Sequence, residues 1–118
     1  MAITSPLTIT IGGVAHALKR VNQDNNGSTF LKVAANLEIR LTFRHSYESP
    51  KPDGSQMVRH NVELVQTTYD AAGKADATVA YVVCRSRRGA DPIVATNVLD
   101  ALGAFTDAQS ASIVDWEN

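Results

Sequence analysis

Leu37-Glu38-Ile39-Arg40-Leu41-Thr42-Phe43-Arg44-His45-Ser46 decides how this sequence reads. Leu37, Ile39, Leu41 and Phe43 are apolar, and Glu38, Arg40, Thr42 and Arg44 alternate with them. Side chains of an extended chain point to opposite faces in turn, so this alternation marks a strand with one buried and one wet face.

Outward from this strand the same period recurs. Upstream, Thr29 to Ala34 reads as a short strand and Asn22 to Ser28 as a polar loop. Before them, Leu7, Ile9 and Ile11 alternate with Thr8 and Thr10. Gly12-Gly13 then leads into Val14-Ala15-His16-Ala17-Leu18. Two strand-like runs joined by a glycine pair predict a hairpin, because both glycines can take positive φ. Downstream, Pro50, Pro52 and Gly54 make Tyr47 to Gln56 a connection. Val58, His60, Val62 and Leu64 alternate with Arg59, Asn61 and Glu63; Asp70 to Lys74 is a turn, and Thr78 to Arg85 a last, Val-rich strand.

The final third changes period. Asp91-Pro92 suits a helix start, with Asp as cap and Pro at the first helical position, where its missing N–H has no partner. Val94, Val98, Leu99, Leu102 and Phe105 follow at helical spacing. Thr106 to Gln109 matches a capping box for a second, short helix carrying Val114 and Trp116. Such a helix is marginal unless it packs on something. Strands followed by helices predict an α+β fold with an antiparallel sheet.

Bulk properties bound the function. The 118 residues are expected to form a single domain over 1–118. With 44% apolar and 19% charged residues the composition is globular rather than disordered. The formal charge of −1 supplies no global positive field, so any nucleic-acid binding must rest on a local set of Arg and Lys. Cys84, the only cysteine, can form no intrachain disulfide and reads as a small residue inside a strand. Met1 to Pro6 carries no secretion-signal pattern, and no run approaches the about 18 apolar residues of a membrane span. A soluble protein folding in a cytoplasm is expected.

No enzyme chemistry emerges. His45 and Ser46 are adjacent in sequence but point to opposite faces of a strand, and no glycine-rich phosphate loop opens a helix. His45 and His60 can approach each other across a strand pair, yet zinc needs more ligands than these two provide. They read as a pair of partly buried, hydrogen-bonded histidines at a subunit contact. No catalytic residue, metal or cofactor is predicted.

This order of elements resembles the coat proteins of levivirus-type single-stranded RNA bacteriophages across nearly the whole chain. Leu37 to Ser46 looks like the family's central strand, Val58 to Val65 like the next, and Asp91 to Phe105 like its first helix. The loop Asp70 to Lys74 is shorter than in the best-known members. The resemblance implies an N-terminal β-hairpin, a five-stranded antiparallel sheet, and two C-terminal helices that pack on the partner subunit. It also implies a homodimer, a T=3 icosahedral capsid and a virion protein assembled in the cytoplasm of a bacterial host. Viral genomic RNA would lie on the inner sheet face, with an RNA hairpin operator and translational repression as a further expectation. No membrane or small-molecule partner is implied.

Alternation puts Arg40, Thr42 and Arg44 on one face, and antiparallel pairing adds Arg59 and Asn61. Guanidinium groups fork onto phosphate, and hydroxyl and amide groups reach sugars or base edges. On the residues alone a solvated sheet face explains this set, with Glu38 and Glu63 diluting its charge. The resemblance implies RNA contact there, with Lys32 and Thr78 as further candidates. Arg85, Arg87 and Arg88 are either RNA contacts or the exposed end of a strand. The competing reading is a dimeric α+β module that binds a small molecule between sheet and helices, lined by Phe43, Val62 and Tyr81.

Overall fold

The computed structural model describes residues 3–116. Six strands come first: β1 (Leu7–Ile11), β2 (Val14–Asp24), β3 (Gly27–Ala34), β4 (Leu37–Tyr47), β5 (Met57–Tyr69) and β6 (Ala75–Arg87). Two helices follow, α1 (Pro92–Ala108) and α2 (Ser110–Val114). The strands form one antiparallel sheet in sequence order, so β1 and β6 are its edges.

The expected division into a hairpin and a separate five-stranded sheet is corrected by β2. Its first part, through Leu18, pairs with β1, and its second part, from Lys19 to Asp24, pairs with β3. A register shift between Arg20 and Asn22 separates the two parts. Such a bulge bends and twists a strand, which lets one strand serve both the curled hairpin and the main sheet. The expected loop over 22–28 shrinks accordingly to a turn at Asn25-Asn26, because Asn22, Gln23 and Asp24 find ladder partners in Thr29, Ser28 and Gly27. Asp24 Oδ1 accepts the Asn26 N–H at 2.8 Å, a local bond that favours the turn. Gly12 and Gly13, at φ +58° and +80°, close the predicted β1–β2 hairpin.

Leu18, Phe30 and Ile39 are fully buried, with Leu7, Ile9, Ile11, Leu37, Leu41, Phe43 and Leu64 packed around them. The core therefore sits on one face of the sheet, under the curled hairpin. Phe30 and Phe43 stack at 5.8 Å between ring centroids. Everything that alternates with these residues faces the other way.

Asp91 caps α1 as predicted, its Oδ1 accepting the Ile93 N–H at 3.0 Å, with Pro92 opening the helix. The capping box at Thr106 does not form. The helix continues through that residue, whose hydroxyl donates back to the Leu102 and Gly103 carbonyls at 3.0 and 3.1 Å. α2 starts at Ser110 without a side-chain cap, and Trp116 lies beyond its end at φ 66°. Neither helix has a buried residue. Val94, Val98, Leu102 and Phe105 are all exposed, Phe105 by 60%.

Candidate nucleic-acid interface

Register sets the wet face. Arg44 lies opposite Asn61, Ser46 opposite Arg59, Thr42 opposite Glu63, and Arg40 opposite Val65. Arg40, Thr42, Arg44, Arg59 and Asn61 therefore share the face away from the core. β6 extends it with Arg85 beside Arg59 and Tyr81 beside Glu63. β2 and β3 add Lys19, opposite Leu31 in the same row as Arg40.

Lys32 and Thr78 do not join this set. Lys32, Ile39, Gln66 and Thr78 form one row across β3 to β6, and Ile39 is buried in the core. Both candidates therefore lie on the core side of the sheet. A strand's side chains have a period of two residues, so a register one residue out moves a side chain to the other face. Lys32 instead places Nζ 2.9 Å from His16 Nδ1.

The cations of the wet face differ in availability. Arg40 bonds to Glu38 at 3.1 Å and Arg44 to Asp24 at 2.8 Å. Arg85 forks onto both oxygens of Glu48 at 2.5 and 2.6 Å. Its hydrogen bond and charge hold the Glu48 carboxyl below the ordinary range. Asp24 is likewise held low, first by the Asn26 N–H and then by Arg44. Among the described residues Arg59 makes no ion pair. Asn61 Oδ1 is buried with no hydrogen-bond partner among them. Arg88 lies away from this cluster, with its guanidinium 4.5 Å from the centroid of the Tyr47 ring and bonded to Gln56 at 3.0 Å.

Phage phiCb5 coat protein is the family whose sequence profile matches residues 4–87 of this chain, most of its length. The chain belongs to this phage coat protein family. The match ends at Arg87, the last residue of β6, so it spans the whole sheet and stops before the helices. No curated protein matches the chain. Membership makes this a structural protein of the virion that self-assembles into a capsid, not an enzyme.

In this coat protein the core side of the sheet holds the second feature of note. His45 and His60 are register partners with their Nδ1 atoms 2.8 Å apart, which gives the predicted hydrogen bond, although in the subunit His60 is half-buried and His45 is exposed. They border a cleft of about 430 Å³ between the sheet and α1, lined also by Val62, Cys84 and Leu99. The competing small-molecule pocket is not assembled as expected. Tyr81 is on the wet face, opposite Glu63, whereas Phe43 and Val62 face the core side. Among the described residues no cluster of three or more His, Cys, Asp or Glu is placed to hold a metal ion.

Two residues of the coat protein's wet face escaped the sequence reading. Lys19 falls after Leu18, where the hairpin strand was expected to end. Tyr81, 67% exposed, sits in a Val-rich run whose alternation is too weak to assign faces. Pairing with a cleanly alternating neighbour, β5, is what fixes its side.

Proposed function

We propose that this coat protein is of the levivirus-type single-stranded RNA kind, that it forms homodimers which assemble into a T=3 shell, and that it holds genomic RNA on its wet sheet face. The observation that carries this reading is α1. Its Val94, Val98, Leu102 and Phe105 are exposed in the subunit, and burying each would contribute about 1.5–3 kcal/mol. A second copy supplies the surface. Edge-to-edge pairing of two β6 strands would satisfy the open edge and carry each α1 over the apolar side of the partner's sheet. The whole chain then serves as one coat domain, assembled in the bacterial host's cytoplasm, with the β1–β2 hairpin outside.

With one side covered by helices, the other is left to RNA. Arg40, Arg44 and Arg59 suit phosphates, and Thr42 and Asn61 suit sugars or base edges. Tyr81 offers an exposed ring on which an unpaired base can stack. Recognition of one operator hairpin, and with it translational repression, is the narrower form of the same reading.

Electron microscopy and size-exclusion chromatography of the purified protein test it together. Spherical megadalton particles containing nuclease-protected RNA are expected. A species that remains a monomer at all concentrations, with no bound RNA, overturns the reading.

A further inference from the structure

Charge divides this chain as sharply as secondary structure does. All 11 Lys and Arg lie at or before Arg88, whereas the charged residues that follow are Asp91, Asp100, Asp107, Asp115 and Glu117. α1 therefore carries only negative charge, on Asp100 and Asp107. Both are exposed, and neither makes an ion pair among the described residues. Asp107 lies in the last turn, where a carboxylate opposes the helix dipole and no basic residue offsets it. Within one subunit this arrangement is unfavourable.

The core side of the sheet has the opposite imbalance. Its strands present Arg20 and Lys32 there, and among the described residues Asp76, near the start of β6, is their one carboxylate. The Arg20 guanidinium donates to the Ile3 carbonyl. Lys32, half-buried, has the His16 ring nitrogen at 2.9 Å and no carboxylate partner among the described residues. From Lys32 toward the β6 edge this side lies open, with Val62, Thr78 and Ala80 all exposed.

A symmetric pair of subunits brings the two imbalances together. β6 has 13 residues, so two copies paired antiparallel along their full length are centred on Tyr81. That register sets Cys84 of one copy level with Thr78 of the other. α1 meets its own sheet beside Cys84 and Ser86 and touches chiefly β6 among the strands, so it leaves that sheet over the β6 edge. Each α1 then enters the opposite sheet at the level of Thr78, along the row Thr78, Gln66, Ile39 and Lys32. From Leu99 to Asp107 the helix rises about 12 Å, and strands lie about 4.8 Å apart. Asp107 thus arrives over β4, next to the strand that bears Lys32, whose flexible four-carbon stem spans the remaining step. Asp100, one residue past Leu99, stops short at the sheet's edge.

We propose that Lys32 and the partner's Asp107 form an ion pair across the subunit contact, which fixes how far each α1 lies across the opposite sheet. The pair rests on the dimer proposed above and adds what sets its register. Lys32 offsets both the carboxylate and the unbonded carbonyls of the last helical turn. An apolar contact can slide at little cost, whereas a charge pair selects one register and penalises the others. Lys32 faces away from the wet side, so the RNA salt slope of a dimeric Lys32 variant is unaffected.

Sedimentation equilibrium of wild type, Lys32→Asp, Asp107→Lys and the double variant with both changes tests the pair. Each single reversal sets like charges together and should weaken the dimer at least about tenfold. The double variant should return to within about threefold of wild type. The two single variants, mixed, should pair with each other in preference to themselves, because such a heterodimer holds one natural and one reversed pair. A double variant as weak as its two changes combined, or singles with no preference for each other, overturns the ion pair while wild-type dimers persist. Wild type that stays monomeric overturns the dimer and the ion pair with it. If the reversed variants do not fold, Lys32→Met and Asp107→Asn carry the same comparison. Their combined loss should then be smaller than the two single losses added, and fully additive losses overturn the pair.

Discussion

Arg44 reaches Asp24 across a glycine. Asp24, Gly27 and Arg44 occupy one row on β2, β3 and β4, and with no side chain between them Arg44 donates to Asp24 Oδ2 at 2.8 Å. A Cβ at Gly27 would run into the Phe43 carbonyl oxygen, so the position admits no larger residue without a backbone shift. The ion pair that results occupies one of the cations proposed to hold RNA.

The three arginines should therefore not contribute equally. Arg59, free of ion pairs among the described residues, can meet a phosphate at once, whereas Arg44 must first give up Asp24. Arg59→Ala should lower RNA affinity and reduce the salt slope by about 0.7 to 0.9, the value for one lost phosphate contact. Arg44→Ala should cost less, and Asp24→Asn should raise affinity. Binding isotherms over a salt series check all three, and an Arg59→Ala protein with wild-type slope would show a merely solvated face.

Thr42 and Asn61 carry no charge and share that face. Replacing either by Ala should change the preference between RNA hairpins while leaving the salt slope nearly constant. Lys32→Ala and Thr78→Ala supply the control, since both point to the core side. Competition between an operator-like and an unrelated hairpin reads the difference. A slope reduced by Lys32→Ala would mean that RNA reaches the wrong side of the sheet.

Leu102 is 45% exposed on a helix that has no fully buried residue in its own subunit. Leu102→Asp should then abolish the dimer, with soluble protein lost along with it. Sedimentation equilibrium and particle yield measure this. Wild-type dimers and shells would sink the proposed helix exchange, and so would a well-folded, stable monomer, because the apolar helix would then need no partner.

The parts of this architecture legible in the sequence are those written in strong local patterns. β4 alternates cleanly, so both its faces were readable, and β5 followed with Arg59 and Asn61 on the correct side. Asp91-Pro92 announced α1 through cap chemistry that depends only on neighbours in the chain. Lys32 and Thr78 went astray because β3 and β6 alternate weakly, and their faces are set by pairing rather than by their own residues. The Arg20/Asn22 bulge left no local signal, and with it the joining of hairpin and sheet was invisible. Thr106 misled for the opposite reason: its capping pattern is real, but a hydroxyl inside a helix can equally bond back to the preceding turn.

Arg85 and Glu48 tie the end of β6 to the loop that follows β4. The Arg85 hydrogen bond, then its charge, lowers the Glu48 carboxyl from its ordinary 4.5, with smaller help from Arg59 and Lys51. A carboxyl that is more acidic when folded stabilises the protein above its unfolded value, and that contribution disappears as pH falls through and below the folded one. Both side chains are partly exposed, so solvent and salt keep the effect small. Glu48→Gln should lower the urea midpoint slightly at pH 7 and match wild type in acid, where Glu48 is itself neutral. At pH 7 the same change releases the Arg85 fork onto the wet face and should strengthen RNA binding. A midpoint deficit that persists unchanged in acid would mean that Glu48 acts through packing, and the ion pair would lose its role in both measurements.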